Sequence, residues 1–310
     1  MKKMMIALLG VLLFGLLYVY AFIPQQINIS PSIFIKCTQS GAERYVLNEK
    51  KWEQWWPGTF DKAGFLLYQN DSYKIDQKFS DGVSMLIQTD NLNIQSKINI
   101  IKRNVDSIKL EWSCSLESGL NPFARISNYT LAKNVKTNLD FLVAKLGSFL
   151  ENKDNIYDIS ISKSTAPDSL LISTKRILNN YPSTNEVYNL IDLLKKYASE
   201  NKASVNGNPM MNVTVLDKQQ FQLMVALPID KALNGNENIF PRKMVHGNFL
   251  VATVKGGIST INEALNQMQL FFQDYDKTSM AIPFQYIITD RITEPDTTKW
   301  ITKIYAPVYK

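Results

Sequence analysis

A chain of 310 residues with 45% apolar content can fold as one or two domains, each with a core of its own. The net charge of +6 does not make a nucleic-acid surface: Lys2 and Lys3 precede a hydrophobic segment, the other charges are spread, and no basic run occurs. Two cysteines far apart (Cys37, Cys114) and one histidine (His246) exclude a disulfide framework and a Cys/His metal site, so no metal and no cofactor is expected. Both cysteines read as small buried apolar residues; a single disulfide is the alternative if the domains are extracytoplasmic. His246 reads as a turn-edge residue.

Met4 to Ile23 carries no charge and is long enough to cross a bilayer core at ~1.5 Å per residue. Lys2 and Lys3 just before it predict a cytoplasmic N-terminus and exported folded domains, giving a single-pass anchor over residues 1–23. A cleaved signal peptide competes, but no small-x-small site follows the apolar run, which reads Val19-Tyr20-Ala21-Phe22-Ile23-Pro24.

Residues 31–163 form the first predicted domain. Ser32 to Thr38 reads as a strand, and Asn48 to Trp56 as a short helix closed by Pro57-Gly58. Five strand-like runs follow: Phe65–Gln69, Tyr73–Phe79, Val83–Gln88, Asn93–Arg103 and Ser107–Leu116. Asn70-Asp71, Asp81-Gly82 and Asp90-Asn91 separate them, which predicts an antiparallel meander. Asn121 to Asn152 then keeps a helical apolar period through Leu131, Val135, Leu139, Leu142, Leu146 and Phe149.

This order resembles the SRPBCC (START/Bet v 1-like, polyketide-cyclase-like) helix-grip family. Trp52, Trp55-Trp56-Pro57-Gly58, Glu111-Trp112, Asn121–Arg125 and the helix ending near Ile156-Tyr157 carry the likeness. It implies a cavity for an apolar ligand between sheet and helix. Trp52, Trp55, Trp56 and Trp112 either line that cavity or fill the core.

Ser164 to Asp168 reads as a linker, and residues 169–310 as the second domain. Here the sequence echoes itself. Leu170–Ile177 leads into a helix over Ser183–Asn201 and a hairpin over Pro209–Ile229, with a turn at Asp217–Gln220. His246–Val254 leads into a helix over Ser259–Gln273 and a hairpin over Pro283–Val308. In the last hairpin Gln285 and Ile287 alternate with Phe284 and Tyr286, Arg291–Thr298 is turn chemistry, and Pro307 ends the strand. A β-α-β-β unit used twice predicts a pair packed about a pseudo-twofold axis, with a groove where the copies meet.

The segment resembles the GyrI-like (AraC-type effector-binding) family, which is built from two such units. The likeness rests on Pro241–Met244 with Gly247, Gly256-Gly257, Pro283–Tyr286, Glu294–Asp296, Lys299-Trp300 with Thr302, and Ile304–Val308. In that family a glutamate in the second-repeat strand faces the groove, binds cations in some members and acts catalytically in the hydrolytic ones. Matched to that pattern, Gln285 stands at the glutamate and Ile287 at a tyrosine; the first-repeat equivalents are Met211 and Val213. An amide can hydrogen-bond a ligand but cannot neutralise a cation or act as a general base.

The expected ligand-binding residues are therefore Gln285, Ile287, Met211 and Val213, with Trp300, Tyr305 and Phe221 as aromatic walls; ordinary packing between the repeats is the alternative. No catalytic residue is assigned, since no phosphate loop, nucleophile elbow or metalloprotease motif occurs. The chain reads as α+β and as a membrane-anchored protein that binds a small hydrophobic or amphipathic molecule, with no nucleic-acid partner. Two alternatives stand beside it: a hydrolase or cyclase acting on hydrophobic small molecules, and an interaction module with filled pockets.

Overall fold

The computed structural model describes residues 2–89, 92–165, 170–217, 220–244, 247–279 and 281–308. His246, Lys218 and Gln219 of the expected turn, and residues 166–168 of the expected linker lie outside the described residues. The chain divides into two compact units, Met1–Asn152 and Lys153–Lys310. Each holds an eight-stranded antiparallel sheet with helices.

The first unit opens with α1 (Lys2–Phe22), the one described helix long and apolar enough to cross a membrane, with mean hydropathy 2.4. Then come β1 (Gln26–Ile29), β2 (Ser32–Ile35) and α2 (Gln39–Val46). The strand expected to run to Thr38 stops at Ile35 because Thr38 caps α2, its Oγ1 accepting from the Gly41 N–H at 3.1 Å. The helix expected over Asn48–Trp56 is a 3-10 turn, Glu49–Gln54, capped by Asn48.

The meander follows as β3 (Thr59–Phe60), β4 (Leu66–Tyr68), β5 (Asp71–Phe79), β6 (Gly82–Thr89), β7 (Leu92–Asn104) and β8 (Ser107–Glu117). Its order is β1-β8-β7-β6-β5-β4-β3, with β2 also on β8. Gly82 starts β6 where any side chain would collide, since a Cβ there would lie 1.9 Å from the Ile98 carbonyl oxygen.

α3 (Pro122–Glu151) has Asn121 as N-cap and Pro122 in its first turn. Its buried stripe of Val135, Leu139, Leu142, Leu146 and Leu150 packs on the sheet. Trp52, Trp55, Trp56, Tyr73 and Trp112 are all buried. Their rings touch in series, Trp52–Trp55 at 4.9 Å, Trp55–Trp56 at 5.4 Å, Trp56–Tyr73 at 5.3 Å and Tyr73–Trp112 at 5.9 Å, so they pack on one another as core.

The second unit comprises α4 (Lys153–Tyr157), β9 (Ile161–Thr165), β10 (Leu170–Leu178), α5 (Thr184–Glu200), β11 (Met210–Asp217), β12 (Gln220–Ile229), β13 (Phe240–Lys243), β14 (Asn248–Lys255), α6 (Ile258–Asp274), β15 (Phe284–Ile287) and β16 (Ile301–Val308). Its order is β13-β10-β12-β11-β15-β16-β14-β9. In each half the strand before the helix lies outside, the last strand of the hairpin in the middle, and the first strand at the centre, where β11 meets β15.

Three details depart from the sequence reading. Ser164 and Thr165 are not linker: they pair with Phe249 and Asn248 as part of β9. Pro307 does not end β16: it lies opposite Phe249 and pairing with β14 continues to Val308, beyond the last residue paired to β15. β13, opened by Phe240-Pro241, adds an edge beside β10.

Candidate ligand-binding site

At the centre of the second sheet Met211 lies opposite Gln285, and Met210 opposite Tyr286. Strand alternation puts Met211, Val213, Gln285 and Ile287 on one face and Met210, Phe284 and Tyr286 on the other. The first face carries the apolar cluster beneath α5, built from Ile172, Val187, Leu190, Ile191, Leu194, Leu223 and Val225. It also holds a small pocket. Met211 and Gln285 line its sheet side, Thr184 and Val187 come from the first turn of α5, and Ile258 and Ile261 from the first turn of α6. Tyr181, Pro182 and Arg291 complete it. The free space is about 10 Å³, close to the room one water needs.

The two helix starts differ. α5 has a full capping box, Ser183 with Glu186, whose carboxylate accepts from the Ser183 N–H at 2.8 Å; those hydrogen bonds hold the Glu186 pKa down. α6 starts at Gly257 with no side-chain cap. Gly256 before it has φ +145°, and a Cβ there would sit 2.7 Å from Thr260 Oγ1, so the turn needs glycine.

Besides the Thr184 hydroxyl, three polar groups converge among these apolar walls. Gln285 is 4% exposed. Burial pushes the Tyr181 hydroxyl pKa up, opposed by a hydrogen bond with Gln285 and by the Arg291 charge. Arg291 is 8% exposed. Its backbone N–H donates to Tyr188 Oη at 2.6 Å, Nη2 donates to Thr302 Oγ1 at 3.0 Å, and the guanidinium lies 4.9 Å from the Trp300 ring centre. Its Nε has no partner. Burial pulls the Arg291 pKa down.

The residues expected from sequence divide accordingly. Gln285 and Met211 line the pocket. Ile287 and Val213 share their face but belong to the apolar cluster beneath α5. Trp300 is buried under Arg291, its Nε1 donating to the Glu294 carbonyl at 2.8 Å. Phe221 packs edge-on against Tyr181 at 5.9 Å. Tyr305 is on the opposite face: it stacks on Phe284 at 5.2 Å and meets Phe249, so it is no wall of this pocket. Arg291 and Tyr181, not among the expected residues, supply two of the three polar groups.

Several larger clefts lie elsewhere. A groove of about 450 Å³ runs along α6 past Leu265, Met268, Phe272 and Pro283, and no buried polar group converges on it. In the first unit, a polar cleft of about 460 Å³ lies between β4, β5 and α3. There buried Asp71 accepts from Asn138 Nδ2 at 2.7 Å and from the Tyr73 hydroxyl at 3.3 Å, and Tyr68 stacks on Phe141 at 5.4 Å.

No family model and no curated protein matches the chain. Solved structures do. The EcmrR C-terminal domain is 14% identical with a TM-score of 0.41, over 49% of this chain and 98% of that one. A hydrolase from Listeria innocua is 8% identical at 0.38, over 48% and 92%. SAV2435 bound to tetraphenylphosphonium is 11% identical at 0.35, over 49% and 94%.

Proposed function

We propose that the chain is a membrane-anchored small-molecule-binding protein whose ligand sits between the first turns of α5 and α6, over Met211 and Gln285. The second unit is a duplicated β-α-β-β domain of GyrI-like type, and the first a helix-grip domain of SRPBCC-like type. The mirrored strand order about β11 and β15 supports the duplication. The meander closed by α3 supports the helix grip. The observation that carries the binding reading is the convergence of Gln285, Tyr181 and Arg291, with an orphaned Nε, in a junction whose other walls are apolar apart from Thr184. Buried polar groups left without partners are costly, and ligand sites place a few of them among apolar walls.

Anchoring has its own support. The Tyr20 hydroxyl donates to the Leu120 carbonyl at 2.6 Å, Arg125 Nε donates to the Ile23 carbonyl at 2.9 Å, and the Arg125 guanidinium lies over the Tyr20 ring. The end of α1 is thus tied into the first unit, which favours retention over cleavage. Exposed Phe22, Leu120 and Phe123 suit a headgroup-level position, and Lys2 and Lys3 keep the N-terminus cytoplasmic, with the folded units outside.

Thermal unfolding of the full chain against a panel of lipophilic compounds tests the binding reading. A true ligand at about 100 times its Kd should add about 2.7 kcal/mol of stability. Met211→Trp or Val187→Phe, which fill the pocket, should remove the gain while the circular dichroism of the fold persists. A gain that survives both substitutions would place the ligand elsewhere.

A further inference from the structure

The sign of the ligand's charge can be read from the pocket. Arg291 is buried, and among the described residues no ion pair to its guanidinium is seen; the neighbouring Asp290 carboxylate acts on the Tyr188 hydroxyl instead. One nitrogen is bonded to a neutral hydroxyl, Thr302, and Nε to nothing. A buried cation without a counter-charge is an unfavourable state that a bound anion relieves. The start of α6 adds to this. Ile258 and Ile261 of its first turn line the pocket, and no side chain caps the helix. The amides of an uncapped first turn carry partial positive charge and lack acceptors. The remaining polar side chains, the Gln285 amide and the Tyr181 and Thr184 hydroxyls, can all donate hydrogen bonds and bring no negative charge.

We propose that this pocket takes an anionic headgroup of carboxylate size on a small apolar body, held by the Arg291 guanidinium, the first turn of α6, and the Tyr181 and Gln285 donors; the proposal rests on the ligand-binding reading of the same pocket. The apolar body lies against Val187, Met211 and Ile258. A cationic ligand would meet Arg291 at close range in a poorly screened site. The preference is therefore opposite to the cation binding that the GyrI-like resemblance implies for a glutamate at position 285. At about 10 Å³ the pocket is smaller than such a headgroup, so binding requires it to widen.

The test uses the full chain in phosphatidylcholine nanodiscs, labelled with fluorotryptophan, and three probes with one tail: hexanoate, hexylammonium and hexanol. Fluorine NMR reads the Trp300 resonance, assigned through Trp300→Phe, while Trp52, Trp55, Trp56 and Trp112 in the first unit serve as controls. Hexanoate should shift Trp300 alone and bind at least about tenfold more tightly than hexylammonium. Arg291→Met should weaken hexanoate at least about tenfold, and Arg291→Lys less. Equal or tighter binding of hexylammonium or hexanol at Trp300 overturns the anion assignment and leaves ligand binding standing. No response of Trp300 to any probe overturns both. Should Arg291→Met fail to fold, the ranking of the three probes on the unaltered chain decides.

Discussion

Arg291 shows how a buried charge can be hard to read in a sequence. It stands in a polar connection, Arg291 to Thr298, whose composition signals a turn, and nothing in a period-two or period-3.6 pattern marks a buried guanidinium. Gln285 was legible because alternation along β15 separates it from Phe284 and Tyr286. Tyr305 was not. Its face relative to Gln285 depends on the register of β16 on β15, which sets Gln285 against Ile304 and Phe284 against Tyr305. Residue-scale burial also makes a prediction about pH. Cys114 lies in the first sheet, and burial raises its thiol from 9.0 to about 11. The unfolded thiol ionises first, so stability held below pH 9.0 is lost as pH rises toward about 11, by up to about 2–3 kcal/mol. Urea unfolding across that window should show the fall, and Cys114→Ala should be flatter than the unaltered chain by that amount. Identical pH profiles would mean that Cys114 is not held in its protonated form.

Elements were read best where several signals agreed. α5 combines a capping box at Ser183 and Glu186 with a regular apolar stripe, and its expected range matches the structure to within its caps. α3 likewise has Asn121 and Pro122 at its start. The missed elements carry weak or contrary signals. α2 is short, with Gly41 inside it; β9 is rich in Ser, Thr and Lys and resembles linker composition; β13 contains a proline and survives only as an edge. Since the α5 cap positions one wall of the pocket, Ser183→Ala should cost about 1 kcal/mol in urea unfolding and weaken ligand binding in parallel. An unchanged midpoint would mean that the cap adds nothing to the stability of α5. In the first unit, Asn138→Ala leaves the buried Asp71 carboxylate with one partner fewer. That should cost about 1–3 kcal/mol, read as a lower urea midpoint; a midpoint equal to that of the unaltered chain would remove the role given to the Asp71–Asn138 bond.

At the scale of the whole molecule, the α+β class, the two antiparallel sheets and the apolar N-terminal helix were legible from hydropathy and spacing. The boundary between the units was not, because α4 and β9 belong to the second unit, and β9 runs into the Ser-Thr-Ala-Pro-Asp stretch. The proposed anchor predicts that protein recovered from membranes keeps its first 23 residues by intact mass and resists carbonate extraction. A mature chain beginning after Ile23 would show that the helix is a cleaved signal, and the ties from Leu120 and Arg125 to Tyr20 and Ile23 would then be lost. The proposed ligand site is the junction between α5 and α6. Native mass spectrometry of the full chain, released from detergent after purification from cells, tests it most directly. The expected result is a bound mass of one small molecule per chain that Met211→Trp removes. A chain that carries no added mass, or one that keeps it in Met211→Trp, would contradict it.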